Sequence, residues 1–277
     1  MRLLSLLVLL PLASVPACRS APDPAVVETD STLALGSAEL QTSATRTFSV
    51  GGRTILFTRL DGTAEIEVRD TAEAALRFTE RIAEGRRHDA NLVDILSGPQ
   101  VRFTVERGRG EANPVDVRGV VPKGTPLMFR MENGTVVVRN PDARVSVRMV
   151  NGTVQVTGAT GELSLDVDNG TVDATLAALT APQHLRTRNG SIALYLPPTA
   201  SANVSLRSGV RIDVEGLDLP PPVDGLGTQR LTGGLGAGEH LVSVLATNGS
   251  IFLGAYPRRD GAVAPMPGTP GDTAAAR

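Results

Sequence analysis

Apolar and polar residues alternate on both sides of a recurring Asn-Gly dipeptide. Around Asn151, for example, Val147 and Met149 precede the pair and Val154 and Val156 follow it. Side chains alternate between faces along a β-strand, so each flank predicts a strand with one buried face. The apolar phase shifts across the dipeptide, which predicts a turn there, because Asn and Gly tolerate positive φ.

The dipeptide occurs five times, each time followed by Thr or Ser and then by Val or Ile. The first four copies are 18, 18 and 20 residues apart, and a short fixed period of this kind is typical of repeating β-architectures. We therefore interpret the five pairs as structural turns: Asn133 and Gly134, Asn151 and Gly152, Asn169 and Gly170, Asn189 and Gly190, and Asn248 and Gly249.

Two all-β architectures fit this pattern. In an antiparallel β-meander or sandwich, each dipeptide would be a type I′ hairpin turn, pairing Met149 with Val154. In a repetitive β-solenoid, each unit of 18–20 residues would be one coil, and equivalent corners would stack about 4.8 Å apart. We favour the solenoid, because independent hairpins have no reason to share one turn sequence.

Charged residues before the dipeptides favour stacking in register. Stacked coils would place Asp166 between Arg148 and Arg186, and Asp168 beside Arg188. Opposite charges on neighbouring strands stabilise a sheet.

The same region offers a second interpretation, in which Asp166, Asp168 and Asp173 form a carboxylate cluster for a hard cation such as calcium. Nearby arginines would neutralise this cluster, and no further oxygen-ligand motif is present. We therefore expect no metal site and no cofactor.

The N-terminus has the pattern of an export signal. A positively charged start is followed by an apolar run at residues 3–12 and by small residues. Val15-Pro16-Ala17-Cys18 resembles the bacterial lipobox, in which the Cys is diacylated and becomes the first residue of the mature protein. We predict a signal peptide at 1–17 and lipidation of Cys18, with ordinary cleavage after Ala17 as the alternative. Arg19 follows the Cys, which resembles the sorting pattern for the outer membrane.

Composition divides the rest of the chain. Residues 18–44 read as a lipid-anchored tether, and the Gly-, Ala- and Pro-rich residues 258–277 as a disordered tail. Between them we place an N-terminal β-segment at 45–125 and the Asn-Gly repeat domain at 126–257. Within the N-terminal segment we predict strands at 53–58, 63–69 and 101–106, and a short helix at 89–96; residues 72–82 fit either a strand or a helix.

Composition also excludes some functions. Aromatic residues make up 3% of the chain, there is no Trp, and the formal net charge is −2, so a nucleic-acid partner is not expected. His88, His184 and His240 have no metal-ligand spacing, and no Gly-x-Ser-x-Gly motif occurs. A polysaccharide lyase using Asp166, Asp168 and Arg186 is the remaining enzyme hypothesis, but charge stacking already accounts for these residues. We expect no enzymatic activity.

The Asn-Gly-Ser/Thr-Val/Ile repeats resemble the bacterial putative-adhesin family of uncharacterised exported β-strand-repeat domains. The strongest resemblance is at the C-terminal unit, where a Gly-rich turn at 231–238 leads into a strand and then Thr247-Asn248-Gly249-Ser250-Ile251. The resemblance covers about residues 47–254, and the pattern is interrupted between Asn189 and Asn248. It implies an all-β repeat with a surface role and no known catalytic residues.

Together these features predict an exported, lipid-anchored protein of the cell envelope, located at the bacterial outer membrane or cell surface. Its β-repeat would serve adhesion or scaffolding. The expected partners are the membrane, through lipid on Cys18, and an envelope polysaccharide or protein. The alternative is a carbohydrate- or cation-binding envelope protein.

Overall fold

The computed structural model describes residues 27–34, 40–82, 90–107 and 113–256, and these residues form strands and no helix. The all-β prediction is confirmed. None of the described residues belongs to a helix that could cross a membrane. Cys18, the predicted signal peptide and the predicted tail lie outside the described residues.

The strands are β1 (Val27–Ala34), β2 (Leu40–Phe48), β3 (Thr54–Thr58), β4 (Thr63–Arg69), β5 (Ala74–Ile82), β6 (Ala90–Ser97), β7 (Gln100–Arg107), β8 (Val115–Pro122), β9 (Leu127–Arg139), β10 (Val145–Ala159), β11 (Leu163–Leu176), β12 (Gln183–Leu196), β13 (Ala202–Ser208), β14 (Arg211–Glu215), β15 (Val223–Asp224), β16 (Gln229–Leu235), β17 (His240–Asn248) and β18 (Ser250–Ala255).

Successive repeats pair in parallel and in register. Strands β9 to β12 each contain one Asn-Gly dipeptide, and equivalent residues are partners across all four. Met149 pairs with Met131 and Val167, so the hairpin pairing with Val154 does not occur. Antiparallel pairing is present elsewhere, in the hairpin of β6 and β7 and between β13 and β16. The result is a mostly parallel, mixed sheet that is not closed.

The order of strands in space departs from their order in the chain. Strand β12 pairs with β17 and β18, and these in turn pair with β13 and β14. The last two strands therefore lie between β12 and the strands that follow it in sequence. This insertion explains the interrupted repeat between Asn189 and Asn248. The prolines at 220–222 fall between β14 and β15, outside any strand.

The N-terminal part adds one more unit to the stack. Strands β3 and β4, predicted from the sequence, do not pair with each other. Both pair in parallel with β9, β3 with its first half and β4 with its second. Asp61 and Gly62, which join them, therefore occupy the place that Asn-Gly takes in the later repeats.

Two predictions for the N-terminal part differ from the structure. The helix at 89–96 is wrong: residues 90–97 form β6, which pairs antiparallel with β7 across a tight turn at Gly98 and Pro99. The tether at 18–44 contains β1 and part of β2, which form a hairpin with the β-prone residues Thr42 and Thr45 in β2. Residues 74–82, which fitted either a strand or a helix, form strand β5.

One continuous core fills the interior of the stack. Val136, Val154 and Val172 are partners on neighbouring strands, and each is at most 1% exposed. At the N-terminal end the filling is aromatic, since the rings of Phe57 and Phe129 stack with centroids 5.0 Å apart. The alternating buried positions are those that the sequence pattern predicts.

Glycine is required at each stacked corner for lack of space. A Cβ added to Gly152 would lie well under 3.0 Å from the carbonyl oxygen of Gly134, a distance that real Cβ atoms essentially never show. Gly152 also has a φ of +146°, which L-residues disfavour. The same close approach to the preceding strand recurs at Gly134, Gly170, Gly190, Gly209 and Gly249.

We predict that Gly152→Ala lowers the free energy of unfolding by about 2–5 kcal/mol, the sum of overpacking and of positive-φ strain. Gly124→Ala is the matched control, because Gly124 has a φ of +74° and open space around it. It should cost only the strain, about 1–2 kcal/mol. Urea denaturation of both variants measures the difference; equal losses would contradict the close-approach explanation.

Candidate functional site

The five asparagines of the repeat form a single hydrogen-bonded row, which we call the asparagine ladder: Asn133, Asn151, Asn169, Asn189 and Asn248. Each Nδ2 donates to the Oδ1 of the previous member, over 2.9, 2.9, 2.7 and 2.9 Å. All four bonds point in the same direction. The side chains lie at the surface, yet each inner amide uses a donor and an acceptor on its neighbours.

Two further polar residues extend the ladder at its ends. The backbone N–H of Asn133 donates to Asp61 Oδ1 over 3.1 Å, and Ser208 Oγ donates to the carbonyl of Gly249 over 2.6 Å. Both residues precede a glycine, as the asparagines do. The sequence signal was therefore a polar residue before Gly at a break between strands.

The charged neighbours expected from in-register stacking are present. Arg148 Nη2 lies 3.8 Å from Asp166 Oδ2, and Arg188 Nη2 lies 3.3 Å from Asp168 Oδ1. Asp166 also has Arg186 as its register partner on the other side. These pairs are exposed, so each contributes about 0–1 kcal/mol to stability. Their main effect is to favour one register over a slipped one.

The three candidate calcium ligands do not share one environment. Asp166 and Asp168 precede the corner at Asn169 and pair with arginines, whereas Asp173 follows the corner, between Gln155 and Ala193. Partial burial raises the pKa of the Asp173 carboxyl. Among the described residues, no three His, Cys, Asp or Glu side chains gather in a way that could hold a metal ion.

The histidines also lie apart. His184 is exposed on β12, and His240 begins β17; His88 lies outside the described residues. The outward groups of the described repeats are thus engaged mainly with one another across the strands.

No family model matches this chain, and no curated protein matches it. Among solved structures, it is similar to a putative cell adhesion protein from Clostridium sporogenes, with 13% identity, 83% of this chain and 100% of that chain covered, and a TM-score of 0.36. A putative adhesin from Bacteroides fragilis has 10% identity over 77% and 96% of the two chains, with a TM-score of 0.31. One from Parabacteroides distasonis has 8% identity over 76% and 96%, with a TM-score of 0.25.

We predict that Asn169→Ala destabilises the protein by about 1–3 kcal/mol, because two ladder hydrogen bonds, each worth about 0.5–1.5 kcal/mol, are lost. Asn248→Ala is the matched control, since the ladder gives Asn248 one such bond, to Asn189. It should cost about half as much. Chemical denaturation monitored by circular dichroism measures both; a larger loss for Asn248→Ala would count against the ladder.

The raised pKa of the Asp173 carboxyl predicts that the stability of the folded protein depends on pH. Burial raises this pKa, so the folded state binds a proton more tightly than the unfolded chain does. Wild-type stability should therefore fall as pH rises from the ordinary carboxyl pKa, about 3.9, through the raised folded value. Asp173→Asn replaces the ionisable carboxyl with a neutral amide, so the variant does not lose stability as the pH rises through this range. We expect the variant to have a higher urea midpoint than wild type at pH 7 and no advantage at pH 3.

The control for this measurement is Asp168→Asn, which removes an ion pair with Arg188. It is not expected to stabilise the protein at pH 7. An advantage of Asp173→Asn that stayed constant from pH 3 to pH 7 would refute the proposed role of burial.

Proposed function

We propose that this chain is an exported, lipid-anchored protein of the cell envelope whose β-repeat is a non-catalytic module for adhesion or scaffolding. The observation that carries the proposal is the extended asparagine ladder. From Asp61 to Ser208 it crosses seven stacked positions, Asp61, Asn133, Asn151, Asn169, Asn189, Asn248 and Ser208. Six strand spacings of about 4.8 Å give about 29 Å of continuously bonded surface.

Such a surface suits a module that holds a fixed shape. Each strand is bonded to its neighbours through the backbone, through the ladder and through ion pairs such as Arg148–Asp166. Stiff elements keep binding groups at constant spacing, which lowers the ordering cost of contact with an extended partner. The described repeats offer this shape and a mainly polar outer face, with most apolar side chains inside.

The N-terminal sequence supports the location. An export signal at residues 1–17 would deliver the chain across the membrane, and two or three acyl chains on Cys18 would hold it there, at about 0.8 kcal/mol per buried methylene. Because Cys18 is the only cysteine, the exported domain cannot depend on an internal disulfide. Strand pairing and the buried core supply its stability.

We predict that Cys18→Ser moves the protein from the membrane fraction to the soluble fraction of a bacterial host, because the acceptor of the lipid is lost. Ser20→Ala, two residues away, is the matched control and should fractionate as wild type. Mass spectrometry of the mature wild-type protein should show an acylated N-terminal Cys18. Attachment of the cells to a coated surface should fall with Cys18→Ser and not with Ser20→Ala.

Unchanged fractionation of Cys18→Ser, together with an unmodified N-terminus, would overturn the anchor. Wild-type attachment equal to that of cells lacking the protein would overturn the adhesion role. The two readouts therefore separate where the protein lies from what it does there.

A further inference from the structure

Three arginines without an ion pair lie on neighbouring strands at the end of the sheet where β17 and β18 are inserted. Several other arginines on this surface form ion pairs across neighbouring strands, as Arg139 does with Glu65 and Arg188 with Asp168. The side chains of Arg186, Arg207 and Arg230 form no ion pair or hydrogen bond with any other residue that the structure describes. All three are exposed.

The strand register places these three residues in one row, which we call the arginine row. Arg186 on β12 is the partner of Leu245 on β17, Leu245 is the partner of Arg207 on β13, and Arg207 is the partner of Arg230 on β16. Register partners point to the same face of a sheet. With strands about 4.8 Å apart, the row runs across the strands and carries three positive charges.

A cavity of about 270 Å³ opens beside the middle of the row. It is lined by Arg207, Gly209, Thr228, Leu245, Ala246 and Thr247. Its lining thus combines one guanidinium group, two hydroxyl groups and two apolar side chains. Ligand pockets for drug-sized molecules measure about 300–1,000 Å³, so this cavity suits one small ring of a longer ligand.

Carboxylates near the row are already engaged. Asp166 lies beside Arg148 and Asp168 beside Arg188, while Asp224 Oδ1 accepts a hydrogen bond of 2.7 Å from Gln229 Nε2. Arg207 and Arg230 form no ion pair with any residue that the structure describes, so both guanidinium groups can bind a partner. A guanidinium group binds a carboxylate through two parallel hydrogen bonds, which makes a carboxylated ligand the natural complement.

We propose that the arginine row and its cavity bind an acidic polysaccharide, with one uronic acid ring in the cavity and further carboxylates along the row. This inference rests on the proposed function, for which it names the class of partner. A sugar ring offers hydroxyl groups to Thr228 and Thr247 and an apolar C–H face to Leu245. No aromatic side chain lines the cavity, whereas single-stranded nucleic acids bind mainly through aromatic stacking.

The site should bind a single sugar ring weakly and a polysaccharide chain more tightly. Exposed charge contacts are individually weak and are screened by salt. Several contacts along one chain raise the effective affinity, because each later contact is intramolecular. Binding should therefore depend steeply on salt concentration and increase with the length of the polysaccharide.

The test uses the full-length chain purified in mild detergent and three immobilised probes: polygalacturonate, neutral dextran and single-stranded poly(dT). We expect wild type to bind polygalacturonate and neither of the others. The double variant Arg207→Gln plus Arg230→Gln should bind polygalacturonate about tenfold more weakly, because two charge-assisted contacts are lost. Arg130→Gln is the matched control, since Arg130 holds the equivalent exposed position on β9; it should retain wild-type affinity.

Thermal unfolding of each variant shows that any loss of binding is not a loss of fold. The proposal is overturned if the double variant binds as wild type does, if Arg130→Gln loses as much affinity, or if dextran binds equally well. Tighter binding of poly(dT) would overturn it in favour of nucleic acid. Because the protein is purified, these results do not depend on lipidation of Cys18. If polygalacturonate binding fails, membrane anchoring and cell attachment are still tested separately by the fractionation and attachment measurements.

Discussion

The structure depends on the close approach of backbones at the glycine corners. At Gly152 there is no room for a Cβ against the carbonyl of Gly134, and the same is true along the stack. A slip of one residue would bring a side chain into this space and turn every apolar residue to the outer face. The in-register asparagine ladder and the Arg148–Asp166 pair follow from this steric rule.

The insertion of β17 and β18 between β12 and β13 gives the stack its unusual end. Asn189 and Asn248 are bonded although 59 residues separate them in the chain. The intervening strands must leave the stack and then pair with its last member from the far side. This path places Arg207 beside Leu245, which is also the partner of Arg186, and it places Arg230 beside Arg207. The candidate binding site is thus a product of the strand order.

The sequence predicts the local features well and the long-range ones poorly. Alternation around each Asn-Gly identifies the buried faces, and the fixed period predicts that Asp166 lies beside Arg148. Strand order was beyond prediction, because partners distant in sequence are selected by the packing of the whole core. Asp61 and Gly62 look like an ordinary turn until β9 is placed beside them. The helix at 89–96 failed because short apolar segments fit either period.

The contrast between the two polar rows explains why they should serve different purposes. In the asparagine ladder each inner amide bonds to both neighbours, so the row stabilises itself and has little left to offer a ligand. In the arginine row, two unit charges one strand apart repel by about 0.9 kcal/mol in water at 4.8 Å. Neither Arg207 nor Arg230 forms an ion pair with a carboxylate among the described residues. An anionic polymer along the row would remove this repulsion, which couples binding to the stability of the inserted end of the sheet.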